Sequence, residues 1–375
     1  MFGSLTYLQL QEYWWFLVGV LGALFVFMNF VQGGQMLLWK LGKSEDERDL
    51  IVNALGRKWE LTFTALVMFG GALFAAFPLF YAVSFGGAYY VWMAILFCFI
   101  IQAVAYEYRK KPNNFLGEKT YEWFMFINGS LGIFLIGVAL GTLFTGGNFV
   151  VDSMNHSKWT MPTYGLEALS NWFNLAFGFM LVFLARVQAE LYFINSVAEE
   201  SIINRAKSAL KVDTALFLLF FAVVVYGILT MSGYSYDENG KIFVESHKFL
   251  HNLMAMPIVT AMILVGALML LGGVCLTLLK NSTKGIWCSG IGTILVVIGL
   301  FLILGYNHTA FYPSLSDMQS SLTIENASGS RYTLIAMSYV SLMVPFVLAY
   351  IIWAWRAMNR DKMTIKEVKS DSHHY

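Results

Sequence analysis

The chain has 375 residues, of which 58% are hydrophobic and 13% charged, with a formal net charge of +1. Soluble domains run at roughly 45–50% and 25%, so an ordinary water-soluble domain is excluded. The net charge says nothing about nucleic acid, and because the basic clusters have a sufficient explanation in membrane topology, no such partner is expected.

A helix crosses the hydrocarbon core of a bilayer with about 20 apolar residues. Only helices and closed barrels satisfy the backbone there. Apolar runs predict spans at 14–39, 61–84, 87–107, 121–144, 171–194, 213–232, 252–280, 285–305 and 331–357. The expected fold class is an all-α polytopic membrane protein with about nine transmembrane helices. It forms one membrane domain, 1–358, followed by a short tail, 359–375, expected to be disordered. No cleavable signal is expected, because the first run is long and no small-residue cleavage site follows it.

In the first span Asn29 and Gln32 are near-neighbours on one face. The segment 44–58 reads as a separate amphipathic helix at the interface, with a Ser44–Glu47 capping box and a stripe of Leu50, Ile51 and Leu55. Trp59 and Glu60 stand at the start of the second span. Gly70, Gly71, Ala72, Ala75 and Ala76 then give that span a small-residue face suited to close helix packing. The third span carries Gln102 and ends at Glu107. Arg186 and Glu190 in the fifth have the i, i+4 spacing of a helix ion pair; a structural pair and a relay are the two readings. The seventh and eighth spans are separated only by 281–284. Trp14, Trp15, Tyr89, Tyr90, Trp353 and Trp355 fall near span ends and predict an interfacial aromatic belt.

Basic residues gather in alternate loops. Lys40, Lys43, Arg48, Arg57 and Lys58 precede the second span, and Arg109, Lys110, Lys111 and Lys119 follow the third. Arg205, Lys207 and Lys211, then Lys280 and Lys284, and finally Arg356, Arg360, Lys362, Lys366 and Lys369 lie on the same side. The other side holds only Lys158, Lys241, Lys248 and Arg331. By the positive-inside rule the basic face is cytoplasmic, with the N-terminus outside and the C-terminus inside.

Ionisable groups in spans are costly and are functional hypotheses by default. Glu60, Trp59, Glu107, Asn29 and Gln32 all fall on the basic side, where a proton taken from the cytoplasm would enter. Carboxylates relay protons; Asn and Gln only order the waters between them. Against this, Glu60 also suits a helix start, where the dipole favours negative charge. Glu107 also suits an interfacial pair with Arg109.

His247 and His251 lack a third zinc ligand, and no span holds a central His for haem. Cys98, Cys275 and Cys288 form no ligand spacing and read as packing residues. Neither a catalytic residue, a metal nor a cofactor is expected in this chain.

Several segments together resemble subunit II of the cytochrome bd-type quinol oxidases. They are YWWFLVGVL (13–21), Trp59-Glu60 followed by FGGALFAAFPLFYA (69–82), and AYEYR (105–109). Near the end come Tyr312-Pro313-Ser314, SLTIENASGS (321–330) and TLIAMSYVSLMVPFVLAYIIWAW (333–355). The resemblance implies two four-helix bundles plus one peripheral helix in the bacterial cytoplasmic (inner) membrane. It implies a heterodimer whose subunit I carries two b-type haems, one d-type haem and the quinol site. That complex oxidises quinol, reduces dioxygen to water and takes its protons from the cytoplasm, generating a proton-motive force. The resemblance leaves room for small accessory subunits and for a quinone or lipid between helices.

By position, Glu60 and Glu107 stand where the family has Asp. Asn29 and Gln32 replace two Asp, and Gln102 and Ala103 replace a basic residue and a proline. A role in proton uptake and oxygen access is the leading expectation. A secondary transporter and a scaffold subunit without a proton role are the alternatives.

Overall fold

The computed structural model describes residues 2–359 and 361–370. Among the described residues, nine helices are long and apolar enough to cross a membrane. They are Tyr7–Met36, Glu45–Ala76, Tyr89–Tyr108, Glu118–Thr145, Trp172–Ser196, Glu200–Thr230, Pro257–Lys280, Gly285–Gly305 and Arg331–Met358. Each corresponds to one predicted span. Neighbours in sequence pack as pairs: one with two, three with four, five with six, seven with eight. Span five lies against both one and four, span eight against one, and the first half of span nine rests on span one.

Three expectations are corrected. The first span starts at Tyr7, where Thr6 and Gln9 form a capping box. Trp14 and Trp15 therefore sit two turns inside it and are buried; Trp15 Nε1 donates to the Phe301 carbonyl at 2.7 Å. Trp355 is buried too, so these three are core residues, while Tyr90 and Trp353 point outward as a belt requires. The segment 44–58 is no separate interfacial helix. Its capping box forms, but the helix runs unbroken from Glu45 to Ala76 and buries Leu50, Ile51 and Leu55. At 32 residues it is ~48 Å long, well beyond a bilayer core of ~30 Å, so its first turns project from the basic end.

The third correction concerns small residues. A Cβ added at Gly71 would meet nothing within 4 Å, and at Gly70 only Phe85 at 3.9 Å, so that face stays open. The close crossings lie elsewhere. Gly33 of span one lies on the Ala185 carbonyl of span five, and Gly137 of span four on Gly178. A Cβ at Gly33 would overlap that carbonyl, which is backbone and cannot swing away. Gly33→Ala is expected to cost ~1–3 kcal/mol by overpacking, read as a lower melting temperature of the solubilised protein. An unchanged melting temperature would show that spans one and five separate freely here.

Spans seven and eight are distinct. Asn281 takes a left-handed conformation (φ 52°) and ends the seventh helix. At the end away from the basic loops, β1 (Phe149–Val151) pairs antiparallel with β2 (Ser157–Trp159), and β3 (Gly233–Tyr236) with β4 (Ile242–Glu245). Segment 306–330 ties both hairpins together: Gln319 Nε2 donates to the Ile242 carbonyl at 2.8 Å, and Ser320 Oγ accepts from Val151 N at 3.0 Å. Loops too small to fold singly thus share one cap.

Within that cap Glu245 receives His251 Nδ1 at 2.8 Å, Ser235 Oγ at 2.7 Å and Lys248 Nζ at 3.0 Å. Burial opposes its ionisation, but His251, Ser235 and Lys248 prevail and hold the carboxyl at about 2. A carboxyl depressed from its ordinary ~4.3 gives stability that is complete above that value and lost as pH falls toward 2. The protection of backbone amides in 233–245 against hydrogen exchange, taken relative to the intrinsic rate at each pH, is therefore expected to fall across that window in the wild type and much less in Glu245→Gln. Equal pH dependence in both would remove Glu245 from the account.

The tail departs from its expected disorder over part of its length. Ile365–Ser370 is helical and packs on the start of span two, where Lys369 meets Asp46 at 2.7 Å and Glu367 meets Arg57 at 2.8 Å. Met363 is hydrogen-bonded through its backbone to Ser196 and Ala198. His373 and His374 lie outside the described residues.

Candidate functional site

Two helices lose their regular hydrogen bonding where their amides meet. Span one is interrupted at Asn29, between helical stretches Tyr7–Met28 and Phe30–Met36. Span four contains a π-turn, Asn128–Gly132. Such interruptions rotate side chains off the regular face and frequently mark functional positions.

Around them lies a buried amide cluster. Gln32, Gln35, Gln102 and Asn128 are all at most 1% exposed. Gln32 Nε2 and Gln35 Nε2 donate to Gln102 Oε1 at 2.9 and 2.7 Å, and Asn128 Nδ2 donates to the same oxygen. Gln35 Nε2 also reaches Tyr106 Oη at 3.1 Å. Three donors converge on one carbonyl, while Gln102 Nε2, Gln32 Oε1, Asn128 Oδ1 and both polar atoms of Asn29 meet no protein partner. Orphaned buried amide ends cost ~1–3 kcal/mol each unless solvated, and a polar pocket with several of them has the partners an ordered water requires.

Toward the basic end the cluster is closed by an ionic layer. Arg109, fully buried, binds Asp49 at 2.7 Å and Glu122 at 2.9 Å, with Glu118 at 3.8 Å. Glu122 also takes Trp39 Nε1 at 2.8 Å and Arg48 at 3.2 Å. Lys110 meets Glu45, Asp49 and Glu118 at 2.9–3.1 Å. Burial alone would lower the Lys110 ammonium, but these carboxylates raise it above its ordinary range.

The sequence-predicted residues divide. Asn29 and Gln32 are buried as expected. Glu60 and Glu107 are not interior at all; both are exposed on the outer surface of spans two and three. The residues just before them, Trp59 and Tyr106, stack at 5.5 Å with planes 12° apart. The two carboxylates therefore lie at one level on adjacent helices, and Tyr106 links that surface to Gln35. Arg109 turns away from Glu107 into the ionic layer.

The expected Arg186–Glu190 pair is corrected as well. Arg186 Nη2 binds Asp213 Oδ2 of span six at 2.9 Å, and Lys40 Nζ reaches the same oxygen at 3.4 Å. Glu190, fully buried, forms no ion pair with Arg186 among the described residues; its carboxyl faces that of Asp213, with the Arg186 charge nearby. A helical i, i+4 spacing offers proximity, but a partner on the facing helix wins.

Sequence reasoning missed Gln35, Asn128, Glu122, Asp49 and Asp213. Glu122 and Asp213 fall in the first turns of predicted spans, which was signal enough to single them out. Gln35 and Asn128 needed the facing helices. Among the described residues no group of three or more His, Cys, Asp or Glu is placed to hold a metal ion.

Between spans four to eight, with Val26 of span one, lies an apolar cavity of about 110 Å³, lined by Phe144, Phe177, Met180, Phe217, Leu270 and Val296 among others. Among the described residues of its wall Thr293 is the one polar residue.

A family model described as cytochrome bd terminal oxidase subunit II matches residues 10–358. The chain is 30% identical to cytochrome bd-I ubiquinol oxidase subunit 2 of Escherichia coli K12, across 98% of this chain and 99% of that protein. It is 28% identical to cytochrome bd ubiquinol oxidase subunit 2 of Bacillus subtilis 168, across 95% and 99%. The solved bd oxidase of Geobacillus thermodenitrificans contains a chain of like fold, with a TM-score of 0.62 at 14% identity, covering 94% of this chain and all of that one. With nine apolar helices and matches along nearly its whole length, this multi-pass inner-membrane chain belongs to the cytochrome bd terminal oxidase subunit II family.

Proposed function

We propose that the chain is the haem-free second subunit of a quinol:oxygen oxidoreductase, bound to a haem-bearing subunit I, and that it helps protons enter from the cytoplasmic, basic face. Family membership supports the oxidase complex and replaces the transporter alternative. The observation that carries the proton role is the placement of Glu60 and Glu107. A carboxylate facing lipid is costly. Two of them at one level, Glu60 on a helix whose Gly70–Gly71 face ~15 Å further along is also open, fit a surface covered by another protein chain. That surface is the side proposed for subunit I, with the proton route running along the subunit boundary. From there Trp59 and Tyr106 lead inward to Gln35, Gln102, Asn128, Gln32 and Asn29. The amides hold water in line; the carboxylates exchange the proton. The redox centres, two b-type haems and one d-type haem, belong to the partner.

The apolar cavity fits a hydrocarbon tail, of a quinone or a lipid, and is wide enough for dioxygen to dissolve in. Its wall offers one hydroxyl and no charge, which suits a tail and not a quinone head group. Co-purification tests the central reading. A tagged chain should bring down one haem-bearing partner with a b- and d-type absorption spectrum. Recovery alone, or with a partner lacking haem, would overturn it.

A further inference from the structure

The junction of spans one, five and six at the basic end holds a second group of buried charges, apart from the amide cluster. Glu190 of span five is fully buried, and neither of its carboxyl oxygens receives a hydrogen bond from an N–H or O–H donor. What its carboxyl meets is the carboxyl of Asp213, itself 1% exposed. The cations that face the pair, Arg186 on span five and Lys40 in the helical turn that follows span one, both bind a single oxygen, Asp213 Oδ2. Lys40 is 44% exposed, so water screens much of its charge.

A bare carboxylate in this position would be buried without a donor and would face a like charge. Both conditions are strongly unfavourable. One proton between the two carboxyls removes both at once, giving a charge-assisted O–H···O⁻ bond. We infer that Glu190 and Asp213 form a proton-sharing pair, with Glu190 as the acid that donates to the Asp213 carboxylate. The pair is a proton-binding site on the basic face. On release the Glu190 O–H bond breaks, both groups become carboxylates, and the proton passes to water on the Lys40 side; uptake reverses this. No redox change is involved, and the argument rests on none of the haem chemistry assigned to a partner.

Infrared difference spectroscopy of the protein in its native complex, titrated with pH, reads the site directly. At neutral pH the wild type should show the carbonyl stretch of a protonated carboxylic acid, sensitive to deuterium oxide and shifted by ¹³C-carboxyl glutamate. Glu190→Gln keeps a donor toward Asp213, so the complex should assemble as the wild type does and lack the band. Glu190→Asp keeps a carboxyl and should move the band. Three results would overturn the inference: no such band in the wild type, a band untouched by both substitutions, or a Glu190→Gln chain that fails to assemble while Glu190→Asp assembles without a band. The last would mean an ionised residue 190 holding the cations.

Discussion

Arg109→Ala should prevent stable assembly of the chain. The guanidinium is fully buried where spans three and four meet the projecting start of span two, and it is held by Asp49, Glu122 and Glu118. Removing it leaves Glu122, 2% exposed, with only Trp39 and Arg48. Breaking one side of a buried ion pair costs ~3–5 kcal/mol, because the remaining charge stays buried. A typical folded protein holds ~5–15 kcal/mol in all, so the loss takes a large share. Arg109→Lys should fall between, since an ammonium cannot bridge two carboxylates in the planar fork geometry. The measurement is membrane yield and melting temperature of the purified protein. Wild-type values for Arg109→Ala would mean that the ionic layer does not hold these helices together.

Glu60→Gln should slow oxidase turnover by about tenfold, or ~1.4 kcal/mol of barrier, and leave the haem spectrum of the complex unchanged. Gln matches the size of the side chain but carries no exchangeable acid proton at this point. The deficit should widen at alkaline pH, where protons are scarce, and Glu60→Asp should restore most of the rate. Asn29→Ala should have a smaller effect, acting through water order alone. Wild-type turnover of Glu60→Gln across the pH range would favour the scaffold alternative, with residue 60 a surface contact only.

The number of spans and their alternation with basic loops were legible because both depend on local composition. The capping box at Ser44 was legible for the same reason. Depth was not. The sequence placed Trp14 and Trp15 at the membrane surface because apolar runs begin there, yet the helix starts seven residues before Trp14, inside a polar stretch that hydropathy ignores. Polar residues within spans could be found by eye, but which face they occupy is set by the facing helix. Glu60 and Asn29 look alike in one dimension; one is outside and the other in the core. The Arg186–Glu190 spacing misled for the same reason: Asp213 is distant in sequence and adjacent in space.

The contact between Met363 and the chain at Ser196–Ala198, with Ile365–Ser370 lying on the start of span two, bears on the order of synthesis. These residues leave the ribosome after all nine spans. The basic end therefore stays unlatched while the helices insert, and it closes only once translation has passed residue 370. A chain stopped after Met358 would carry every membrane helix yet lack this clasp. Cells that degrade unlatched chains would in effect be proofreading for length.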